Sequence, residues 1–377
     1  MRVRLGNYIK EYSVRNKAGE NIPVYSVTNT QGFCRDYFGK EVASKDKSTY
    51  KIVPKGYFAY NPSRINVGSV DWQRNEDRVI VSPLYNVFSV ANELNQQYLY
   101  YYLKSDITLH RIKSIATGSV RDNLKFDMLS EFKINLPNVN KQISIVNILD
   151  KIGMLIRKQQ TEIEKLDDLI KSRFVEMFGD ENNSKKWDVV NVEDVADVQV
   201  GVVIKPSQYY TDEGNGIRAF RSLNIGAGYI KDNDWVYFTE EGHQKNSKSI
   251  LKVNDLLIVR SGAPGTACVV TEEYAGYNAI DIIIAHPNCE KVNPYYLCTF
   301  TNMPHGKKQI EEGTGGAAQQ HFNVGKYNKL HLMLPPKELQ DEFVAFVNQI
   351  DKSKVAVQKS LDEMQLLFDS LMQKYFR

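Results

Sequence analysis

The chain has 377 residues, of which 42% are hydrophobic and 25% are charged, with a formal net charge of +3. This composition is typical of folded globular domains and excludes the collagen-like, disordered and disulfide-scaffold classes. No apolar run is long enough to cross a membrane, and the first residues, MRVRLGNYIKEYS, lack the apolar core of a signal peptide. We therefore expect a cytoplasmic protein. Its four cysteines form no C-x-x-C pair, so we expect reduced thiols and no metal site.

Residues 1–138 are rich in Gly, Pro, Asn and Tyr and contain short β-branched runs such as KIVPKGYFAYN at residues 51–61. These runs predict strands bounded by turns, and the segment Asn95–Lys113 predicts a helical patch. We interpret residues 1–138 as a mixed α+β domain. The segment carries 20 Lys and Arg against 13 Asp and Glu, a net charge of +7. Such a basic block suits a polyanion, although a solvated surface would have the same composition.

Residues 139–180 predict a long helix. From 145 onward, apolar residues recur at alternating spacings of four and three, which is the heptad pattern of a coiled coil. A helix of 40 residues would be about 60 Å long. The apolar seam positions of this segment are Ile145, Leu149, Ile152, Ile156, Ile163, Leu166 and Ile170.

Residues 181–336 and 337–377 repeat the same organisation. Shifting the sequence by 198 aligns residues 95–178 with 293–376 without a gap, for example Gln142 with Gln340. The second domain is longer at its front by about 11 residues, as the smaller offset of 187 there indicates. The second seam contains Phe343, Val347, Ile350, Val357, Leu361, Met364 and Phe368.

The predicted fold class is therefore α+β, with two tandem mixed α/β domains that are each followed by a long helix. The two helices are predicted to pair as an antiparallel coiled coil with one domain at each end. In the alternative, the two helices are unrelated and each packs on its own domain. The narrow seam favours pairing, since a helix packed on a domain normally has a wider apolar stripe.

Catalytic signatures are not apparent in the sequence. There is no P-loop, no G-x-S-x-G and no H-E-x-x-H, and the segment Asn61–Arg64 lacks the second proline and the aromatic residue of an adenine methyltransferase turn. We therefore predict neither catalytic nor metal-binding residues in this chain.

Two kinds of loop recur in both copies and could contact DNA. The first follows a strand, at residues 61–64 and 261–266, and the second follows the domain helix, at residues 117–123 and 314–321. Glycine allows a loop backbone to approach a phosphate closely, while Arg, Asn and Gln can pair with base edges. Each loop could equally be a structural turn. The candidate DNA-binding residues are Tyr60, Asn61, Ser63, Arg64, Asn66, Ser119, Arg121, Asn123, Lys125, Arg218, Arg221, Arg260, Ser261, Gly262, Thr266, Gln319, Gln320 and His321.

The chain resembles the specificity subunit of Type I restriction-modification systems. The resemblance lies in the loop entry VNDLLIVRSG at 253–262, in the segments 134–137 and 332–335 that each precede a Gln-bearing helix start, and in the helix end KSRFVEMFGD at 171–180. It covers the whole chain in the order domain, helix, domain, helix. The first copy departs from the family where Asn61–Arg64 replaces the usual Ser/Arg-Ser-Gly loop.

The resemblance implies a non-enzymatic subunit in which each domain recognises one half of a two-part target in double-stranded DNA. The helices would set the spacing between the halves and hold two methyltransferase subunits, and a motor-nuclease subunit is a further expected partner. No cofactor is expected in this chain; S-adenosylmethionine, ATP and Mg would be bound by partner subunits. Two alternatives remain: a self-contained DNA adenine methyltransferase or restriction enzyme fragment, and a structural coiled-coil adaptor.

Overall fold

The computed structural model describes residues 2–35, 46–116, 123–180, 182–314 and 322–377. Contacts divide the chain into two compact units. The first unit contains residues 1–161 and 358–377, and the second contains residues 162–357. Each of the two long helices is therefore shared between the units, whereas the sequence pattern suggested boundaries at the helix ends. None of the helices in these ranges is long and apolar enough to cross a membrane.

The first unit contains a mixed α+β domain. Its central sheet is antiparallel and has the strand order β2-β9-β6-β7, and three further strand pairs, β1-β10, β3-β4 and β5-β8, flank it. The elements are β1 (Arg2–Arg4), β2 (Ile9–Glu11), β3 (Ser26–Thr28), β4 (Gly32–Cys34), β5 (Lys51–Pro54), β6 (Phe58–Tyr60), β7 (Val70–Trp72), β8 (Arg78–Val81), β9 (Asn86–Val90), α1 (Gln96–Lys104), α2 (Asp106–Ala116), α3 (Phe126–Ser130), β10 (Lys133–Asn135) and the first part of α4 (Val139–Phe178).

The core of the first unit joins the sheet to both long helices. Phe58 and Phe88 come from neighbouring strands, and their rings stack with centroids 5.0 Å apart. Tyr98 on α1 is fully buried, and its ring lies 5.1 Å from that of Phe376, near the end of the chain. Leu149 of α4 is fully buried in the same cluster. The last residues of the chain thus complete the core of the first domain.

The second unit repeats this plan and adds a second sheet. The repeated sheet has the order β12-β19-β16-β17, and the additional sheet has the order β13-β15-β14-β18. The elements are β11 (Val189–Asn191), β12 (Ala196–Val200), β13 (Tyr210–Thr211), β14 (Ile217–Phe220), β15 (Val236–Phe238), α5 (Glu240–Lys245), β16 (Leu256–Val259), β17 (Ala267–Val269), β18 (Asn278–Ala279), β19 (Ile282–Pro287), α6 (Pro294–Asn302), α7 (Pro304–Thr314), α8 (Val324–Asn328), β20 (His331–Met333) and the first part of α9 (Lys337–Phe376).

The internal repeat is confirmed at the level of elements. From α1 to α4, every helix and strand has a counterpart in α6 to α9 whose first and last residues lie 198 positions later. Equivalent contacts recur as well: the amide oxygen of buried Gln142 accepts from the Asn95 backbone N–H at 2.8 Å, and that of buried Gln340 accepts from Asn293 at 2.8 Å. Each glutamine therefore fixes the start of its domain helix against the start of its long helix.

The ends of the long helices follow from local sequence. The Asn138 side chain accepts from the backbone N–H of Lys141 at 2.9 Å and so caps the start of α4. Two prolines precede α9. Gly179 follows α4 with φ +90°, a left-handed conformation that ends helices and that glycine adopts without strain. Both 40-residue helices therefore span the residues that the heptad pattern predicts.

The long helices pair in antiparallel orientation within each unit. In the first unit, the Gln159 amide donates to the Ser360 hydroxyl at 2.7 Å. In the second unit, Lys354 pairs with Asp167 at 2.5 Å and Arg173 pairs with Glu342 at 3.3 Å. Every predicted seam residue is buried or half-buried. The seam thus joins the two helices, and at each end it merges with a domain core.

Candidate nucleic-acid interface

The loop after β6 in the first domain is a compact turn. The Asn61 side chain accepts from the Ser63 backbone N–H at 3.1 Å, and the Asn61 carbonyl accepts from the Arg64 N–H at 3.0 Å. Ser63 and Arg64 are exposed, and Asn66 is half-buried. No ion pair to Arg64 is present within the described ranges. The guanidinium of Arg64 is therefore available to a polyanion.

The same loop contacts the segment that leads into α3. The Pro62 carbonyl accepts from the Leu124 N–H at 3.1 Å, and the Ser63 hydroxyl donates to the Asn123 side chain at 2.5 Å. Lys125 follows directly and is exposed. The structure thus brings together two segments that are about 60 residues apart in sequence and that were each predicted to contact DNA.

Tyr60, a predicted DNA-binding residue, lies in the interior of the first domain. Its side chain is fully buried, and its hydroxyl donates to the Leu124 carbonyl at 3.1 Å and accepts from the Asn86 amide at 2.8 Å. Burial raises the pKa of Tyr60, so the hydroxyl keeps its proton and remains a donor. The geometry corrects the expectation of a DNA contact, because Tyr60 supports the loop from below.

The corresponding loop of the second domain follows β16. Gly262 and Gly265 both have positive φ, +86° and +75°. A Cβ at Gly262 would meet open space, whereas one at Gly265 would lie 2.3 Å from the Cδ1 of Ile310. Only glycine therefore fits at 265 without a shift of the Ile310 side chain. Ser261 and Thr266 are half-buried, and Gly262 is exposed at the tip.

Arg260 is engaged inside the protein. Its side chain is only 15% exposed, its Nη1 forms an ion pair with Asp281, and its Nε donates to the Phe322 carbonyl at 3.2 Å. A DNA contact by Arg260 stays a prediction, and these contacts give the side chain a second, structural role. Asp281, 21 residues further along the chain, is its counter-ion.

The other predicted arginines of the second domain also have internal partners. Arg218 lies 3.3 Å from Asp232 and stacks 5.4 Å from the Trp235 ring centroid. Arg221 donates to the Asp234 carbonyl. The three predicted arginines of the second domain are therefore all engaged with other residues of that domain.

Five predicted residues lie outside the described residues: Ser119, Arg121, Gln319, Gln320 and His321. They stay predictions.

Sequence reasoning missed Lys307 on α7. Its amine donates to the Pro264 carbonyl at 3.3 Å and to the Thr266 hydroxyl at 3.4 Å. Desolvation lowers the pKa of Lys307. This half-buried amine supports the second loop from a helix that lies about 40 residues further along the chain, and no local pattern marks it. Among the described residues, no group of three or more His, Cys, Asp or Glu is arranged to hold a metal ion.

Comparison with known proteins identifies a family match over most of the chain. The model of the Type I restriction modification DNA specificity domain matches residues 4–166 and again residues 184–363. The two matched segments correspond to the two copies of the internal repeat.

The chain is also similar in sequence to proteins that are named as Type I restriction enzyme specificity subunits. The Type I restriction enzyme MjaIX specificity subunit of Methanocaldococcus jannaschii is 21% identical over 344 residues, covering 86% of this chain and 77% of that protein. The EcoKI specificity subunit of Escherichia coli K12 is 22% identical over 304 residues, and the alignment covers 74% of this chain and 64% of that subunit.

Solved structures share the fold over the full length. A Type I restriction-modification S subunit from M. genitalium has a TM-score of 0.58 at 16% identity, covering 100% of this chain and 96% of that one. A chain from a structure on complex assembly and conformational transition of a type I R-M system has a TM-score of 0.60 at 17% identity, with 100% and 97% coverage.

Proposed function

The chain belongs to the family of Type I restriction modification DNA specificity proteins, and on this basis we propose how its parts divide the recognition of DNA. It is a specificity subunit and not itself an enzyme, because in Type I systems the catalytic activities belong to other subunits. Neither a self-contained methyltransferase nor a purely structural adaptor is supported by the matches.

Each domain recognises one half of a two-part DNA target. The observation that carries this proposal is the repetition, in both domains, of a strand-following loop bonded to the segment before a short helix: Pro62 with Leu124, and Arg260 with Phe322. Two similar recognition elements in one chain suit two half-sites at a fixed separation, as in other DNA-binding proteins with repeated modules. In the first domain, this pair of segments carries the exposed cations Arg64 and Lys125.

The long helices set the separation of the half-sites and bind the partner subunits. Both helices contribute to both units, so their length links the two recognition domains. Because the domain-plus-helix unit occurs twice, we propose two similar binding sites, each for one methyltransferase subunit. A motor-nuclease subunit is a further partner. S-adenosylmethionine, ATP and Mg would be bound by those partners, in the cytoplasm.

Methylation mapping tests this function. The chain is co-expressed with its methyltransferase subunits, and methylated positions in the DNA are located by methylation-sensitive sequencing. We expect a motif of two short half-sites separated by a gap of fixed length. A single continuous motif would contradict the proposal. Methylation by the purified chain alone with S-adenosylmethionine would instead support the enzyme alternative.

A further inference from the structure

One backbone hydrogen bond occurs at equivalent positions of the two domains. The Leu124 N–H donates to the Pro62 carbonyl, and the Phe322 N–H donates to the Arg260 carbonyl, each at 3.1 Å. The two pairs are related by the same offset of 198 that relates the helices. Each bond ties the loop after a central strand to the residues that lead into a short helix, α3 or α8.

In each domain a side chain also donates a hydrogen bond to the carbonyl of the residue whose N–H forms this bond, Leu124 or Phe322. The donor is a tyrosine hydroxyl in the first domain and an arginine guanidinium in the second. In the first domain, the Tyr60 hydroxyl donates to the Leu124 carbonyl, and Asn86 donates to that hydroxyl. We call these three residues and Pro62 the first clasp. In the second domain, the Arg260 Nε donates to the Phe322 carbonyl while Asp281 pairs with the same guanidinium.

The second clasp consists of Arg260, Asp281 and Phe322. Its two arms come from distant parts of the sequence. Asp281 has φ +50°, a left-handed conformation that non-glycine residues seldom adopt, and it directly precedes β19. Phe322 is fully buried, and Arg260 is nearly so. A buried carbonyl in a protein almost always has a hydrogen-bond partner, so loss of the arginine would force this junction to rearrange.

The internal contacts of the Arg260 side chain favour a structural role over direct base recognition. Its Nε and Nη1 already have partners, and its side chain is only 15% exposed, so two internal contacts fix the orientation of the guanidinium. At the offset of 198, the residue that aligns with Arg64 is Gly262, and the proline at 62 aligns with Arg260. The exposed arginine of the first loop and the clasp arginine of the second are therefore different devices.

We propose that Arg260 with Asp281, and Tyr60 with Asn86, are positioning residues for DNA recognition. Each clasp fixes the base of one recognition loop against the approach to α8 or α3, so each acts on its own half-site only. This inference rests on the proposed two-part target. It also changes the expected effect of substitutions at 260, from altered base preference to weaker binding with unchanged preference.

The test uses the assembled complex with methyltransferase subunits and synthetic duplexes of the mapped target. One duplex has both half-sites, and two others have either half-site scrambled. Arg260→Lys keeps the charge but replaces the two guanidinium nitrogens that hold the carbonyl and the carboxylate with a single ammonium nitrogen. We expect about tenfold weaker binding through the second half-site, the usual size of one lost charge-assisted hydrogen bond, with the first half-site unchanged. Asp281→Asn should weaken the same half-site.

Tyr60→Phe is the reciprocal control. It removes one hydroxyl and should weaken binding through the first half-site only. The mapped motif should keep the same bases in all three variants. Equal loss at both half-sites would indicate a general effect on folding and overturn the proposal. Full retention in Arg260→Lys with loss in Arg260→Ala would overturn it too, because that pattern marks a phosphate contact. If the wild-type complex has no two-part target, the proposed function itself fails.

Discussion

At the scale of single residues, the second recognition loop depends on two glycines that differ in one respect. Gly262 and Gly265 share a left-handed backbone conformation, but only Gly265 packs against another side chain, that of Ile310 on α7. The pair therefore separates the cost of backbone conformation from the cost of packing. Thr266 and Lys307 bond at the far side of the same loop.

Replacing each glycine by alanine should give two different losses of stability. Gly262→Ala should cost about 1–2 kcal/mol from the left-handed backbone alone. Gly265→Ala should cost about 1–3 kcal/mol more, because its methyl group would overlap the Ile310 side chain. Urea unfolding of the purified chain measures both values. Adding Ile310→Val to Gly265→Ala should recover part of the difference. Equal losses at the two glycines would contradict the packing argument.

Side-chain partners are the part of the candidate site that the sequence could not provide. Arg260 and Asp281 are 21 residues apart, and Tyr60 and Leu124 are 64 apart. Their contacts depend on how the strands align, and alignment between strands is set by the whole core. The sequence therefore gives the recurring loops but not the internal partners of Tyr60 and Arg260, because a polar side chain beside a loop has the same sequence pattern whether it faces solvent or the interior.

At the scale of elements, the polar interruptions of the seam prove to be paired. Gln159 interrupts the apolar pattern of α4, and Lys354 interrupts that of α9. Gln159 bonds to Ser360, and Lys354 pairs with Asp167 across the helices. Within the described residues, the amide oxygen of Gln159, Oε1, is buried without a hydrogen-bond partner. A polar seam residue of this kind fixes the register of two helices at a cost in stability.

A pair of variants tests this cost. Gln159→Leu with Ser360→Ala should raise the free energy of unfolding by about 1 kcal/mol, because apolar packing replaces an incompletely bonded amide. Ser360→Ala alone should lower it by about 1 kcal/mol, since the Gln159 amide then loses its acceptor. Urea denaturation measures both. Gln349→Leu, at an exposed position of α9, is the control and should stay within about 0.5 kcal/mol of wild type. An increase in the free energy of unfolding in Ser360→Ala alone would contradict this prediction.

The helices were the easiest elements to predict, because a heptad pattern is local and each turn repeats the same evidence. Both helix ends agree with the sequence pattern, helped by Asn138 before α4 and Gly179 after it. The sheets were predicted only in kind. Nothing in residues 205–240 gives the strand order of the additional sheet of the second domain.

At the scale of the whole molecule, each long helix of the repeat contributes residues to both units. The division between the two units falls after residue 161 in α4 and after residue 357 in α9. These positions face each other in the antiparallel pairing, because Gln159 bonds to Ser360. Insertions at the two positions would therefore lengthen both helices at the same level.

Seven residues inserted after 161 and seven after 357 should lengthen the gap of the DNA target. One heptad adds about 10.5 Å to each helix. At about 3.4 Å per base pair, this corresponds to about three additional base pairs. Methylation mapping of the variant complex measures the gap. An insertion in α4 alone should break the pairing of the helices and abolish methylation. An unchanged gap in the double insertion would show that the helices do not set the spacing.

The chain's last residues also affect how the protein is made. Met372 and Phe376 pack into the core that contains Tyr98 and Leu149. During synthesis at about 5–20 residues per second, these residues leave the ribosome about 10–40 seconds after residue 161. Throughout that interval the first domain exposes the apolar surface that α9 later covers. The first domain can therefore complete its core only after α9 has been synthesised.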